Sequence, residues 1–213
     1  MLQSLYLKDI NGEYQGVRPL TDFLYLTWCD VQRLAEAVAD LVWGEGFQPD
    51  LVVAVSRGGF DPARILCDQL DVRRLASLQL ANYQGVLDSL AQPKVVFPLN
   101  ADVEGLRVLL VDDVADSGRS LGLAKRLVEE AGAAEARVAT LHWKPWSDFK
   151  PDFYAEEVTA WVIYPWEVRE SLLDIYRGFL LEGVSQEEAR ARLREIGFTQ
   201  REIDRHLGLL ESD

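Results

Sequence analysis

Two adjacent carboxylates, Asp112-Asp113, close the apolar run Val108-Leu109-Leu110-Val111, and Asp116-Ser117-Gly118-Arg119-Ser120 follows them. These residue types in this order suit one kind of ligand. Successive backbone N–H groups in a short glycine-containing loop form a nest for an anion. A helix starting behind the loop adds its positive dipole end and its free N–H groups. Ser117 and Ser120 supply hydroxyl donors. Such a loop fits a phosphate monoester. The paired acids lie just upstream, where a sugar attached to that phosphate would sit, and carboxylates there can hold sugar hydroxyls directly or through Mg²⁺. Asp116 is also placed to cap the helix behind it.

A second stretch repeats the design. Leu51-Val52-Val53-Ala54-Val55 runs into Ser56-Arg57-Gly58-Gly59-Phe60, and Asp61-Pro62 then opens a helix, since proline is tolerated at the first helical position. On its own this is also an ordinary strand-to-helix turn needing glycine for φ > 0. A third candidate is aromatic. Four of the six tryptophans fall between 143 and 166, in Trp143-Lys144-Pro145-Trp146 and Trp161-Val162-Ile163-Tyr164-Pro165-Trp166-Glu167. The plain reading is a small apolar subcore, to which Trp146 and Trp166 would belong. Flat aromatic faces also stack on nucleobases.

The elements that must position these groups alternate. Val31, Leu34, Ala35, Val38, Leu41 and Val42 make one apolar helix face after a weak Thr27/Asp30 capping box. Buried strands are expected at 51–55, 75–80, 108–111 and 136–142, with a helix carrying Leu121, Ala124, Leu127, Val128 and Ala131. The pattern predicts an α/β fold, an open, mostly parallel sheet with helices on both faces. Residues 84–100 read as an irregular lid after Asn82-Tyr83, with Lys94 its one basic residue. Beyond 168, two capping boxes, Ser185/Glu188 and Thr199/Glu202, delimit three short helices. We therefore divide the chain into a domain of residues 1–167 and a C-terminal helical extension of 168–213, too small to be securely stable alone.

Composition narrows the partners. A net charge of −13 over 213 residues argues against nucleic acid held by general electrostatics. Cys29 and Cys67 have no metal-ligand spacing, so a reducing cytosol is the default. No run reaches the length of a membrane span, and a signal peptide is not expected.

The string from Arg107 to Leu121 resembles the signature of type I phosphoribosyltransferases, which bind 5-phosphoribosyl-1-pyrophosphate (PRPP). Ser117 and Ser120 stand where that signature usually has threonine, and both keep the hydroxyl. Ser56-Arg57-Gly58-Gly59 is similar to the pyrophosphate loop of the purine enzymes, in which a non-proline cis peptide is common. Lys144-Pro145 and Trp161-Val-Ile-Tyr-Pro165-Trp166-Glu167 resemble the base-binding hood of the 6-oxopurine enzymes. The resemblance covers about residues 25–168. It implies Mg²⁺-dependent transfer of phosphoribose from PRPP to N9 of a 6-oxopurine, in a cytoplasmic homodimer. By the same resemblance Ser56, Arg57, Gly58 and the loop Asp116–Ser120 bind PRPP, with Asp112 and Asp113 on the ribose hydroxyls and the metal. Asp116 would be the acid–base near purine N7, Lys144 would donate to the 6-oxo oxygen, and Trp161 with Val162 would meet the ring. Enzymes of this fold acting on adenine, orotate or uracil fit the Lys144 and tryptophan pattern less well. The alternative from another class is a PRPP- or nucleotide-binding regulatory protein with little turnover.

Overall fold

A computed structural model describes residues 6–8, 14–16, 22–83 and 92–208. In chain order the strands are β1 (Tyr6–Lys8), β2 (Tyr14–Gly16), β3 (Phe23–Tyr25), β4 (Leu51–Ser56), β5 (Leu75–Tyr83), β6 (Gln92–Phe97), β7 (Arg107–Ala115), β8 (Glu135–Trp143), β9 (Phe153–Glu157) and β10 (Trp161–Ile163). The helices are α1 (Trp28–Gly44), α2 (Phe60–Gln69), α3 (Arg119–Glu130), α4 (Val168–Leu181), α5 (Gln186–Ile196) and α6 (Gln200–Gly208). The chain forms two compact units, Cys29–Thr159 and the combination of Met1–Trp28 with Ala160–Asp213.

The larger unit is built on a six-stranded sheet of order β6-β5-β4-β7-β8-β9, parallel except for β5–β6. Strand β4 is buried along Leu51–Val55 and β7 along Val108–Val111, as continuous apolar runs must be when both sheet faces are covered. Leu121, Ala124 and Val128 of α3 pack on Val53, Val55, Leu78, Leu110 and Val138. The chain leaves β4 toward β5 and β7 toward β8, so strand order reverses between the adjacent pair β4 and β7. Ligands of open α/β sheets bind at the carboxyl ends of the strands at such a point.

Several expectations change. Leu41 is 46% exposed, and Ala39 takes its place on the buried face of α1. Helix α2 starts at Phe60 with Gly59 as N-cap, so Pro62 lies within the first turn, where its missing N–H would have had no helical partner anyway. The segment expected to be an irregular lid contains β6, paired antiparallel with β5. Residues 84–91, the first part of that lid, lie outside the described residues.

The smaller unit runs through residue 167. Strand β10 pairs in parallel with β3, and Ile163 joins Leu172, Phe179, Leu193, Phe198, Ile203 and Leu207 in one core. The helices expected as an extension thus share a core with the hood strand. Their caps are as read. The Glu188 N–H donates to Ser185 Oγ at 3.2 Å. Thr199 and Glu202 form a reciprocal box, with the Thr199 N–H on Glu202 Oε2 at 2.7 Å and the Glu202 N–H on Thr199 Oγ1 at 3.3 Å.

Candidate active site

At the carboxyl end of β4 the Ser56 hydroxyl donates to the Leu78 carbonyl of β5 at 3.3 Å, and the Ser56–Arg57 peptide bond is cis. The next two glycines are closely approached, Gly58 by a side chain and Gly59 by backbone. A Cβ on Gly58 would overlap the Asp113 carboxylate, with Oδ1 at 2.8 Å. The Asp113 side chain therefore lies directly against the backbone of this loop. A Cβ on Gly59 would meet the backbone of β4 and β7, including the Val55 carbonyl oxygen at 2.6 Å.

Asp112 and Asp113 are still within β7 rather than beyond its tip. The Asp113 N–H donates to Asp112 Oδ1 at 3.0 Å, and the Val114 N–H to Asp113 Oδ1 at 2.7 Å. Burial, reinforced by the neighbouring Asp113 carboxylate, pushes the Asp112 carboxyl well above the usual range. Two adjacent carboxylates in a poorly hydrated position favour a cation. Among the described residues no group of three or more His, Cys, Asp or Glu could hold a metal ion. Asp112 and Asp113 are the residues of this loop end that could hold a metal ion, since a hard cation can be bound by one or two carboxylates plus substrate oxygens and water.

The loop after β7 turns through Gly118 at φ 77°. Gly118 is the N-cap of α3, with no side-chain cap, so Arg119 and Ser120 occupy the first helical turn. Asp116 is not the cap it was expected to be. Its Oδ1 instead accepts the indole N–H of Trp146 at 2.9 Å. The following strand returns its own loop to this place. The Lys144 N–H donates to the Ala115 carbonyl at 3.1 Å and the Asp148 N–H to the Ser117 carbonyl at 3.1 Å. A Cβ on Gly118 would come within 2.6 Å of the Phe149 nitrogen and the Ser147 Oγ. Residues 144–149 are therefore fastened along 115–118.

Lys144 is only 6% exposed. Burial lowers its ammonium below the ordinary lysine value, opposed by the nearby Asp116 carboxylate. Its Nζ lies 5.4 Å from the centre of the Trp146 ring, within cation–π range. The larger unit thus brings together Ser56, Arg57, Gly58, Asp112, Asp113, the loop Asp116–Ser120 and Lys144 at the ends of β4, β7 and β8. Trp161 and Val162 belong to the smaller unit, on β10. The Trp161 N–H donates to the Asp22 carbonyl at 3.0 Å, and its half-buried ring packs on the helical core. Beside them Trp166 stacks on Tyr164 with centroids 4.8 Å apart, the subcore role read for it.

Trp146 is the member of the site that sequence reasoning placed elsewhere, in an apolar subcore. Its position two residues after Lys144 was the available signal. The contact to Asp116, 30 residues away, appears only once β7 and β8 are paired.

A model of the phosphoribosyl transferase domain matches residues 29–172. Xanthine-guanine phosphoribosyltransferase of Ruegeria sp. (strain TM1040) is 30% identical over 167 residues, covering 72% of this chain and 90% of that protein. The protein of the same name from Roseobacter denitrificans is 30% identical over 79% of this chain and 99% of its own length. Among solved structures, purine phosphoribosyltransferase from Pyrococcus horikoshii Ot3 is 33% identical, with a TM-score of 0.61 over 68% of this chain and 94% of that one.

Proposed function

The chain belongs to the phosphoribosyl transferase family, and from that premise we propose that it transfers the phosphoribosyl group of PRPP to N9 of a 6-oxopurine, releasing pyrophosphate. The observation that carries this is a buried lysine, Lys144, and an acid, Asp116, both held against Trp146 beside two donor-rich loops at the sheet's reversal point.

The chain's own residues account for the steps. Backbone N–H groups of 117–120, with the Ser117 and Ser120 hydroxyls and the start of α3, anchor the 5′-phosphate. Binding energy at that remote group fixes C1′ for attack. Asp112 and Asp113 hold the ribose hydroxyls. Loop 56–58, with the Arg57 guanidinium, receives pyrophosphate as the C1′–O bond breaks and the sugar gains oxocarbenium character. Asp116 exchanges a proton at purine N7 while N9 bonds to C1′. Lys144 donates to the 6-oxo oxygen, and Trp161 with Val162 meets the ring. Mg²⁺ held by Asp112 and Asp113, when bound, supplies positive charge to the departing oxygens. A cytoplasmic homodimer belongs to the same proposal, supported by the family resemblance.

The test is product formation from PRPP and Mg²⁺ with hypoxanthine, guanine, xanthine and adenine, each alone. A 6-oxopurine nucleotide is the expected product, and relative kcat/KM values rank the bases. PRPP binding with no product from any base would instead favour a regulatory protein. Lys144→Ala is expected to raise KM for the 6-oxopurine about tenfold or more, as loss of a charged hydrogen bond of roughly 1.5–3 kcal/mol would, and to erode discrimination against adenine. Unchanged kinetics would remove Lys144 from base recognition.

A further inference from the structure

Trp146, which its sequence setting assigns to an apolar subcore, instead reaches both side chains to which base chemistry is assigned. Its indole N–H donates to Asp116 Oδ1 at 2.9 Å, and its ring lies 5.4 Å from Lys144 Nζ. We propose that Trp146 is a positioning residue that sets the Asp116 carboxylate and the Lys144 ammonium in the relative arrangement a 6-oxopurine requires. Resting on the activity proposed above, the assignment adds a residue to its machinery without adding a contact to substrate.

The physical need is clear on the acid. Asp116 is exposed on the loop between β7 and α3 and does not cap the helix. An exposed aspartate with no anchor distributes over its staggered rotamers. Indole nitrogen is a donor only, so it can engage the carboxylate as an acceptor and in no other way. With Oδ1 held, Oδ2 is left for a ring nitrogen. On the lysine, the four-carbon stem is buried and the ring offers the ammonium a polarisable face.

Trp146 is itself held. The Ser147 N–H donates to the Lys144 carbonyl at 2.9 Å, and the Ser147 hydroxyl to the Phe149 carbonyl at 2.9 Å. With Asp148 bonded to Ser117 and Phe149 seated on Gly118, the turn carrying the indole is fixed to the loop carrying the acid. Base recognition and phosphate anchoring thereby share one small framework. A phenylalanine at 146 keeps a ring for Lys144 and loses the N–H. A leucine loses both. At 39% exposure neither change empties a core.

The split between the two variants tests the assignment. Trp146→Phe is expected to lower kcat by about ten- to a hundredfold with KM for the base within about twofold, because the acid is misplaced and the lysine is not. Trp146→Leu is expected to lower kcat similarly and also to raise KM and weaken discrimination against adenine. In ¹⁵N spectra the Trp146 indole resonance, identified by its loss in W146F, is expected to move in Asp116→Ala. Wild-type turnover matched by W146F, or an indole signal unmoved in D116A, would overturn this assignment alone. Absence of wild-type turnover would overturn the transferase activity and this assignment with it.

Discussion

Asp116→Asn is expected to lower kcat by ~10²–10⁴-fold, the usual worth of a positioned acid–base group, while the dissociation constant for PRPP stays within a few-fold. Asparagine has nearly the same shape, and its amide oxygen can still accept the Trp146 indole N–H that Asp116 receives at 2.9 Å. The loop is held independently of this side chain, by Gly118 against Phe149 and by the Asp148 N–H on the Ser117 carbonyl. The phosphate nest formed by that loop therefore survives. What asparagine lacks is a carboxylate that can take and return a proton. Steady-state rates set against calorimetric PRPP binding separate the two. Equal losses in turnover and PRPP affinity would mean that Asp116 serves the PRPP site as a whole and is not the acid–base.

The central sheet was legible because its strands are buried on both faces and read as unbroken apolar runs, Leu51–Val55 and Val108–Val111. The two donor loops were legible because glycine, serine and acid residues interrupt those runs abruptly. The helix ends beyond 184 were legible because capping chemistry is local: Ser185 with Glu188 and Thr199 with Glu202 lie three residues apart, and each makes its bond. Non-local facts were not legible. Nothing local to Pro93-Lys94-Val95-Val96-Phe97 says that this stretch pairs with β5, and prolines nearby argue for a loop; β6 forms at the sheet edge, where Pro93 sacrifices little.

Pairing partners also decided the C-terminal region. Its amphipathic helices were plain, but an apolar face does not name what covers it. Ile163, Phe23 and Tyr25 supply that cover, brought together by the pairing of β10 with β3. Tyr25 further donates its hydroxyl to Glu202 Oε1 at 3.0 Å, across 177 residues of sequence. Burial with that carboxylate raises the phenol to about 12. Asp116 shows the same limit within the site. A helix-capping role follows from sequence offset alone, whereas the competing donor, Trp146, arrives from the turn after β8 and wins because Gly118 already shapes the helix start.

Gly59→Ala is expected to cost on the order of 3 kcal/mol from overpacking, a large fraction of a total of roughly 5–15 kcal/mol. Its backbone is ordinary, at φ −70° and ψ −10°, so dihedral strain is not the cause. The cause is room. The new methyl would be driven into the Val111 carbonyl of β7 and sit 2.6 Å from the Val55 carbonyl and 2.9 Å from the Val55 nitrogen of β4. Those atoms are backbone of two buried central strands and have no rotamer to give. Relief must come from lifting the start of α2, which strains the Gly59 N–H bond to Val55 at 2.9 Å and displaces the loop carrying Arg57. Two neighbours serve as controls. Gly44→Ala, with nothing within 4 Å at the end of α1, is expected to be neutral or slightly stabilising. Gly58→Ala meets the Asp113 side chain, which can swing aside. It is expected to spare the melting temperature more than Gly59→Ala does while reducing turnover, because the carboxylate leaves its place against the loop. Melting curves for the three variants check this order, and a Gly59→Ala protein that melts with the wild type would show that α2 yields without cost, contrary to the close packing on which the whole site is mounted.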